Sequence, residues 1–173
     1  AFDLDENHLK ILASNTQKEY IDNLYLMKGE FPYDFSIENK LGSVLASRIM
    51  HFLEGRDFVT GLKKIYNALT DQGKFYFTSV TPYHAAIKDG FLDEYKKRKS
   101  RGDMWPGKIE NQWLINPKHK KYVHSLLHVF DISELETLLP KCGFKIEDIS
   151  LFDYPNDTKS EGKGHVGFVA KKI

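Results

Sequence analysis

The sequence predicts an α/β fold: a mostly parallel sheet with helices on both faces, finished by an antiparallel strand pair at the carboxyl end. Three observations predict it. Strand-like and helix-like segments alternate along most of the chain. The last two strand-like runs follow one another with no helix between them, which makes them an antiparallel pair. The chain opens on Phe2-Asp3-Leu4-Asp5, the end of a buried strand running into a helix start. Its 173 residues, 41% hydrophobic and 28% charged, have the size and composition of one soluble domain with a core.

Asp5 is the N-cap candidate of the first helix, and Leu9, Ile11 and Leu12 continue its apolar face to about Ser14. Residues 24–27 (Leu-Tyr-Leu-Met) form a short apolar strand before the turn at Lys28 to Pro32. Residues 43–49 read as a strand, although Leu45, Ile49, Phe52 and Leu53 also fit a helical face. Phe58, Val59, Leu62, Ile65, Tyr66 and Leu69 have amphipathic-helix spacing over residues 57–69, closed by Asp71-Gln72-Gly73. Residues 74–80 (Lys-Phe-Tyr-Phe-Thr-Ser-Val) are rich in aromatic and β-branched side chains and read as a strand. A helix is expected over 84–98, then a loop-rich stretch in which Pro and Gly mix with Trp105, Trp113, Tyr122 and histidines. Asp131-Ile132-Ser133-Glu134 opens another helix, stopped by Cys142-Gly143. Residues 145–154 and 165–171 are the final strands. A single domain over 1–173 with an inserted cap at 81–130 follows.

Twenty-five Lys and Arg against 24 Asp and Glu leave a formal charge of +1. No global field recommends nucleic acid or an anionic membrane as a partner. No apolar run reaches the length of a membrane span, and the only cysteine, Cys142, excludes an internal disulfide. A cytoplasmic protein acting on a small molecule is the expectation.

Asp3, at the carboxyl end of a strand and just before a helix, is where open α/β sheets hold a nucleotide ribose: two oxygens accept from two vicinal hydroxyls. Further motifs are Glu30-Phe31, the block from Gly42 to Leu53, the run Leu69-Thr70-Asp71-Gln72-Gly73, and Cys142-Gly143-Phe144-Lys145-Ile146. Together they resemble the class I, Rossmann-like S-adenosylmethionine-dependent methyltransferases over nearly the whole chain. The resemblance implies S-adenosylmethionine as cofactor and methyl transfer to a small or medium organic acceptor. It places Asp3 at the ribose, Glu30 and Phe31 at the adenine, and Leu4, Ala46 and Ser47 beside the cofactor. Tyr83, Trp105 and Trp113 fall on the substrate side. Methyl transfer often needs no strong base; if one acts, His51, His124 and His128 are the candidates.

The family's glycine-rich turn and the strand before it are absent from these residues. In that fold the first strand lies between the strands of Asp3 and Val44, so those two are expected not to pair with each other. The sheet is expected to be truncated at the amino end and completed by a further amino-terminal segment or another chain, or within a homo-oligomer. These residues alone are expected to bind S-adenosylmethionine poorly and to be inactive.

Other readings stay open. A non-catalytic Rossmann-like binding or scaffold module would keep the fold without the cofactor turn. Tyr95 and Lys99 satisfy Y-x-x-x-K, the spacing of an NAD(P)-dependent reductase's tyrosine and lysine. Asp3-Leu4-Asp5 spells a metal-holding D-x-D, and His124 and His128 stand four apart as on one helix face, yet neither has supporting ligands. No metal is expected. Lys96-Lys97-Arg98-Lys99 and Lys118-His119-Lys120-Lys121 read as solvated faces or as phosphate contacts.

Overall fold

The structure is a computed structural model that describes residues 1–87, 89–109, 113, 127–156 and 159–173. Two ladders are parallel and carry the amino-terminal half. Strand β1 (Phe2–Asp3) pairs with β2 (Met27–Lys28), and β3 (Leu41–Ser47) pairs with β4 (Leu69–Val80). The carboxyl-terminal strands β7 (Phe144–Phe152) and β8 (His165–Lys172) are antiparallel, giving a four-stranded order β3-β4-β8-β7. A small antiparallel pair, β5 (Lys108–Ile109) with β6 (Leu127–His128), lies in the 81–130 region.

Alternation along β4 decides which face is buried. Phe75, Phe77 and Ser79 point inward, while Lys74 and Tyr76 face out. Phe77 stands opposite Phe168 of β8, their rings stacked 4.7 Å apart, and Phe75 meets Phe168 edge-on at 5.1 Å. Helix α2 (Gly55–Ala68) lays Phe58, Leu62 and Ile65 on this face, and helix α4 (Ile132–Lys141) adds Leu135 and Leu139. The opposite face leaves Leu45 69% and Tyr76 38% exposed.

Helix ends follow local chemistry. Asp5 caps α1 (Glu6–Asn15) by accepting from the Asn7 N–H, and Asp131 with Glu134 forms a full capping box on α4. Gly143 (φ +88°) ends α4 beside the Tyr66 ring, where a Cβ would come within 2.5 Å.

Some boundaries differ from those the sequence predicts. Helix α2 stops at Ala68, before Gly73, because Leu69 already joins the ladder with Leu41. The left-handed residue there is Gln72 (φ 64°). Residues 43–49 are strand only to Ser47, and Met50–Phe52 is a single 3-10 turn. Only Met27 of the 24–27 run is strand. The helix expected from His84 begins at Phe91, with Gly90 (φ 89°) as its N-cap, so α3 is Phe91–Ser100. Its Phe91 and Tyr95 build a second small core with Val80, Ile87, Ile109 and Val129. Tyr95 and Lys99 tie this core to α4 through Glu134 (2.8 Å) and Asp131 (2.9 Å).

The strands of Asp3 and Val44 do not pair with each other. An apolar cavity of about 410 Å³ lies between them, lined by Phe2, Met27, Phe31, Phe35, Val44 and Ala46 among others.

Phe77 touches Phe58, Phe75, Phe130 and Phe168 at centroid distances of 4.7 to 6.4 Å. Phe77→Ala is therefore expected to cost about 3–5 kcal/mol, and a urea titration followed by circular dichroism measures it.

Candidate active site

The register gathers several chain segments at one edge of the sheet. Ser47 lies opposite Thr78, and Val80 and Phe152 both lie opposite His165. The ends of β3, β4 and β7 and the start of β8 therefore share this edge, where open α/β sheets bind ligands. Here Ser47 Oγ is 3.0 Å from Thr78 Oγ1, which is 3.3 Å from the Tyr154 hydroxyl. Arg48 is held in the left-handed region (φ 55°) with its N–H donating to the Thr78 carbonyl, and its guanidinium lies 5.6 Å over the Tyr154 ring. A non-glycine residue in that conformation is uncommon and is found disproportionately at functional sites.

His51, on the turn after β3, is 4% exposed, and its Nδ1 has no hydrogen-bond partner. Burial, reinforced by Arg48, His165 and His84, pushes its pKa down to about 3. His84 and His165 meet edge-to-face at 5.0 Å, with Tyr154 4.7 Å from His165. A strap of loop ties this edge together. Thr81 Oγ1 donates to the Lys163 carbonyl, the Ala85 N–H donates to Ser160 Oγ, and Asp153 accepts from the N–H groups of Gly162 and Gly164.

Asp3 ends β1, as the sequence predicts. One carboxylate oxygen, Oδ1, accepts from the Asp5 N–H at 2.8 Å and lies 3.4 Å from His8 Nδ1. The other oxygen makes no hydrogen bond or ion pair among the described residues. Neighbouring Leu4 is 56% exposed. Phe31 and Ala46 line the apolar cavity, whereas Glu30 is exposed on the turn, its N–H donating to Asp34.

Other expectations are corrected or redistributed. His128 is on strand β6, not a helix, and is 1% exposed; His124 lies outside the described residues. No group of three or more His, Cys, Asp or Glu able to hold a metal exists among the described residues. Asp5 of the D-x-D caps α1. Tyr95 and Lys99 do not form a reductase's proton relay: Tyr95 is 2% exposed and donates to Glu134, and burial raises its pKa. A reductase tyrosine requires the opposite shift and an accessible hydroxyl. In the basic run on α3, Arg98 pairs with Glu94 and Lys99 with Asp131, so half of it serves internal structure. The second run, at Lys118 to Lys121, lies outside the described residues. Trp105 and Trp113 occupy different places, the first against His128 and the second against Phe91. Tyr83 sits half-buried on the turn after β4, its N–H donating to Thr81 Oγ1.

Arg48, Thr78, Tyr154, His84 and His165 were not singled out from sequence. The legible signal was the final antiparallel pair: it places the histidine that opens β8 opposite the end of β4.

No protein-family model matches the chain, and no curated protein sequence does. Solved structures do. A methyltransferase dependent on S-adenosylmethionine from Methanosarcina mazei superposes with TM-score 0.66 at 14% identity, over 99% of this chain and 80% of that one. A Burkholderia thailandensis 1,6-didemethyltoxoflavin-N1-methyltransferase, with bound 1,6-didemethyltoxoflavin and S-adenosylhomocysteine, gives 0.62 at 18% over 100% and 60%. The [4+2]-cyclase SpnF gives 0.57 at 13% over 99% and 65%. The chain has the fold of class I S-adenosylmethionine-dependent methyltransferases. SpnF carries another chemistry on that fold, so the fold does not by itself name the reaction.

His51 and His128 fold uncharged: burial, with Lys108 nearby, lowers His128 to about 4. Unfolded histidines take up protons below about pH 6.5, so the stability both contribute is complete above that pH and is lost as the pH falls toward 4. At pH 5 each is expected to cost ~2 kcal/mol. Urea midpoints at pH 7 and 5 check this, and His51→Gln should shrink the difference.

Proposed function

We propose that this protein transfers a methyl group from S-adenosylmethionine to a small or medium organic acceptor, at the edge where β3, β4 and β7 end. The observation that carries the reading is Asp3. It ends a parallel strand in the methyltransferase fold with one carboxylate oxygen committed to its own helix and the other unbonded. That oxygen suits ribose hydroxyls. Phe31, on the turn after β2, suits the flat adenine, and the apolar cavity between β1 and β3 suits the further strand expected there.

S-adenosylmethionine, when bound, supplies an electrophilic methyl on a sulfonium. The chain then has to hold the acceptor in line and keep water out. Arg48, Thr78 and Tyr154 provide polar contacts at the edge. His51, with its pKa near 3, is too weakly basic to serve as a general base at neutral pH and suits a fixed hydrogen-bonding role instead. His128, near 4, is limited in the same way. Tyr83, Trp105 and Trp113, from the expected cap region, are the candidate acceptor contacts.

Calorimetric titration of the native protein with S-adenosylmethionine, S-adenosylhomocysteine and NADPH tests the reading. The first two are expected to bind and the third not. Asp3→Ala should weaken both at least tenfold, since a lost charge-assisted hydrogen bond costs roughly 1.5–3 kcal/mol. Unchanged affinity in a folded variant removes Asp3 from the site. Absence of binding by either methionine derivative favours a non-catalytic module.

A further inference from the structure

A second cleft, about 770 Å³ in volume, opens between the start of α2 and the 104–108 segment. Its walls come from Gly55, Arg56 and Lys63 of α2 and from Trp105, Lys108 and His128. Strand β6, which carries His128, packs against the turn bearing His51, so this cleft adjoins the candidate active site.

Three independent features of the cleft favour an anion. The first is the helix end: Glu54 occupies the N-cap of α2 without a side-chain capping bond, so the first-turn N–H groups of a 14-residue helix lack that partner. The second is charge. Glu54 and Asp57 also line the cleft and Lys108 pairs with Glu54 at 3.6 Å, while Arg56 and Lys63 form no ion pair among the described residues. The third is His128. It is 1% exposed and lines the cleft, yet its Nε2 has no hydrogen-bond partner. A buried polar atom left unpaired costs about 1–3 kcal/mol, a cost that a ligand bond would remove.

Trp105 gives the cleft a flat apolar wall. Its indole lies so close over Gly55 that a Cβ there would come within 2.0 Å, and its edge contacts His128 at 5.2 Å. This half-buried ring lines the cleft. Gly55 is thus required by the packing of Trp105, and any side chain there would displace the indole.

We infer that this cleft binds a small planar organic acid, its carboxylate held by Arg56, Lys63, the α2 amino end and His128 Nε2, and its ring against Trp105. In its role the ligand is the methyl acceptor, and that part rests on the methyl-transfer reading; binding itself does not. A carboxylate beside His128 favours the charged imidazolium, so binding raises its pKa from about 4.

The test uses 4-hydroxybenzoate and its neutral isostere 4-hydroxybenzamide as probes. The chain has two tryptophans, so Trp113→Phe leaves Trp105 as the sole indole reporter. The acid is expected to quench Trp105 saturably and the amide to bind at least tenfold more weakly. Arg56→Gln with Lys63→Gln, both exposed positions, should weaken the acid tenfold or more and leave the amide unchanged. Histidine nuclear magnetic resonance should show one buried histidine titrating at higher pH with the acid present. Equal binding of acid and amide, no quenching by either, or indifference to the double variant overturns the inference. A parallel titration with S-adenosylmethionine separates the two readings: acid binding without cofactor binding removes methyl transfer and keeps the site, and the converse removes the site.

Discussion

The stacking of Phe77 on Phe168 across the β4–β8 ladder is the contact on which the rest of the structure depends. Each ring buries about 1.5–3 kcal/mol of apolar side chain, and each pins a register. Because side chains alternate with a period of two, a slip of one residue would turn Phe75 and Phe77 to the solvent face and Lys74 and Tyr76 into the core. The same register decides that His165 faces Val80 and Phe152. The candidate site is assembled by the core and not by its own residues.

Burial has a second effect at this edge. Histidines brought against the core lose their charge, because an imidazolium there forfeits hydration that no carboxylate replaces. His51 and His128 thereby stay neutral at pH 7, at a cost in acid stability. Arg48 stands exposed at the solvent side, and its left-handed backbone is held by the Thr78 carbonyl. The polar side chains of Tyr95, Lys99, Asp131 and Glu134, by contrast, satisfy one another and serve to dock α3 on α4. They show how a catalytic spacing in sequence turns out to be a structural clasp once burial is known.

Local chemistry was legible in the residues themselves. Asp5 before an apolar helical face, Asp131 three residues ahead of Glu134, and Gly143 after a helix each act within one turn, so spacing suffices to find them. The aromatic and β-branched run of residues 74–80 and the uninterrupted final pair likewise define strands, because composition and the lack of a crossover are properties of sequence. From these came the α/β fold and the position of Asp3 at a strand end.

What only the tertiary structure decided depends on contacts between distant segments. Helix α2 ends at Ala68 because Leu69 finds Leu41 across the sheet, which overrides the glycine further on. His84 stays in a turn because Thr81 and Ser160 take its neighbours' hydrogen-bonding groups. The burial of His51, the pairing of Tyr95 with Glu134 and the union of Arg48 with Tyr154 join residues up to 106 positions apart. A sequence determines its local turns and periodicities, since these are set by neighbouring dihedrals and side chains. The protonation and reach of a side chain are set by desolvation and by partners that only the folded chain brings near.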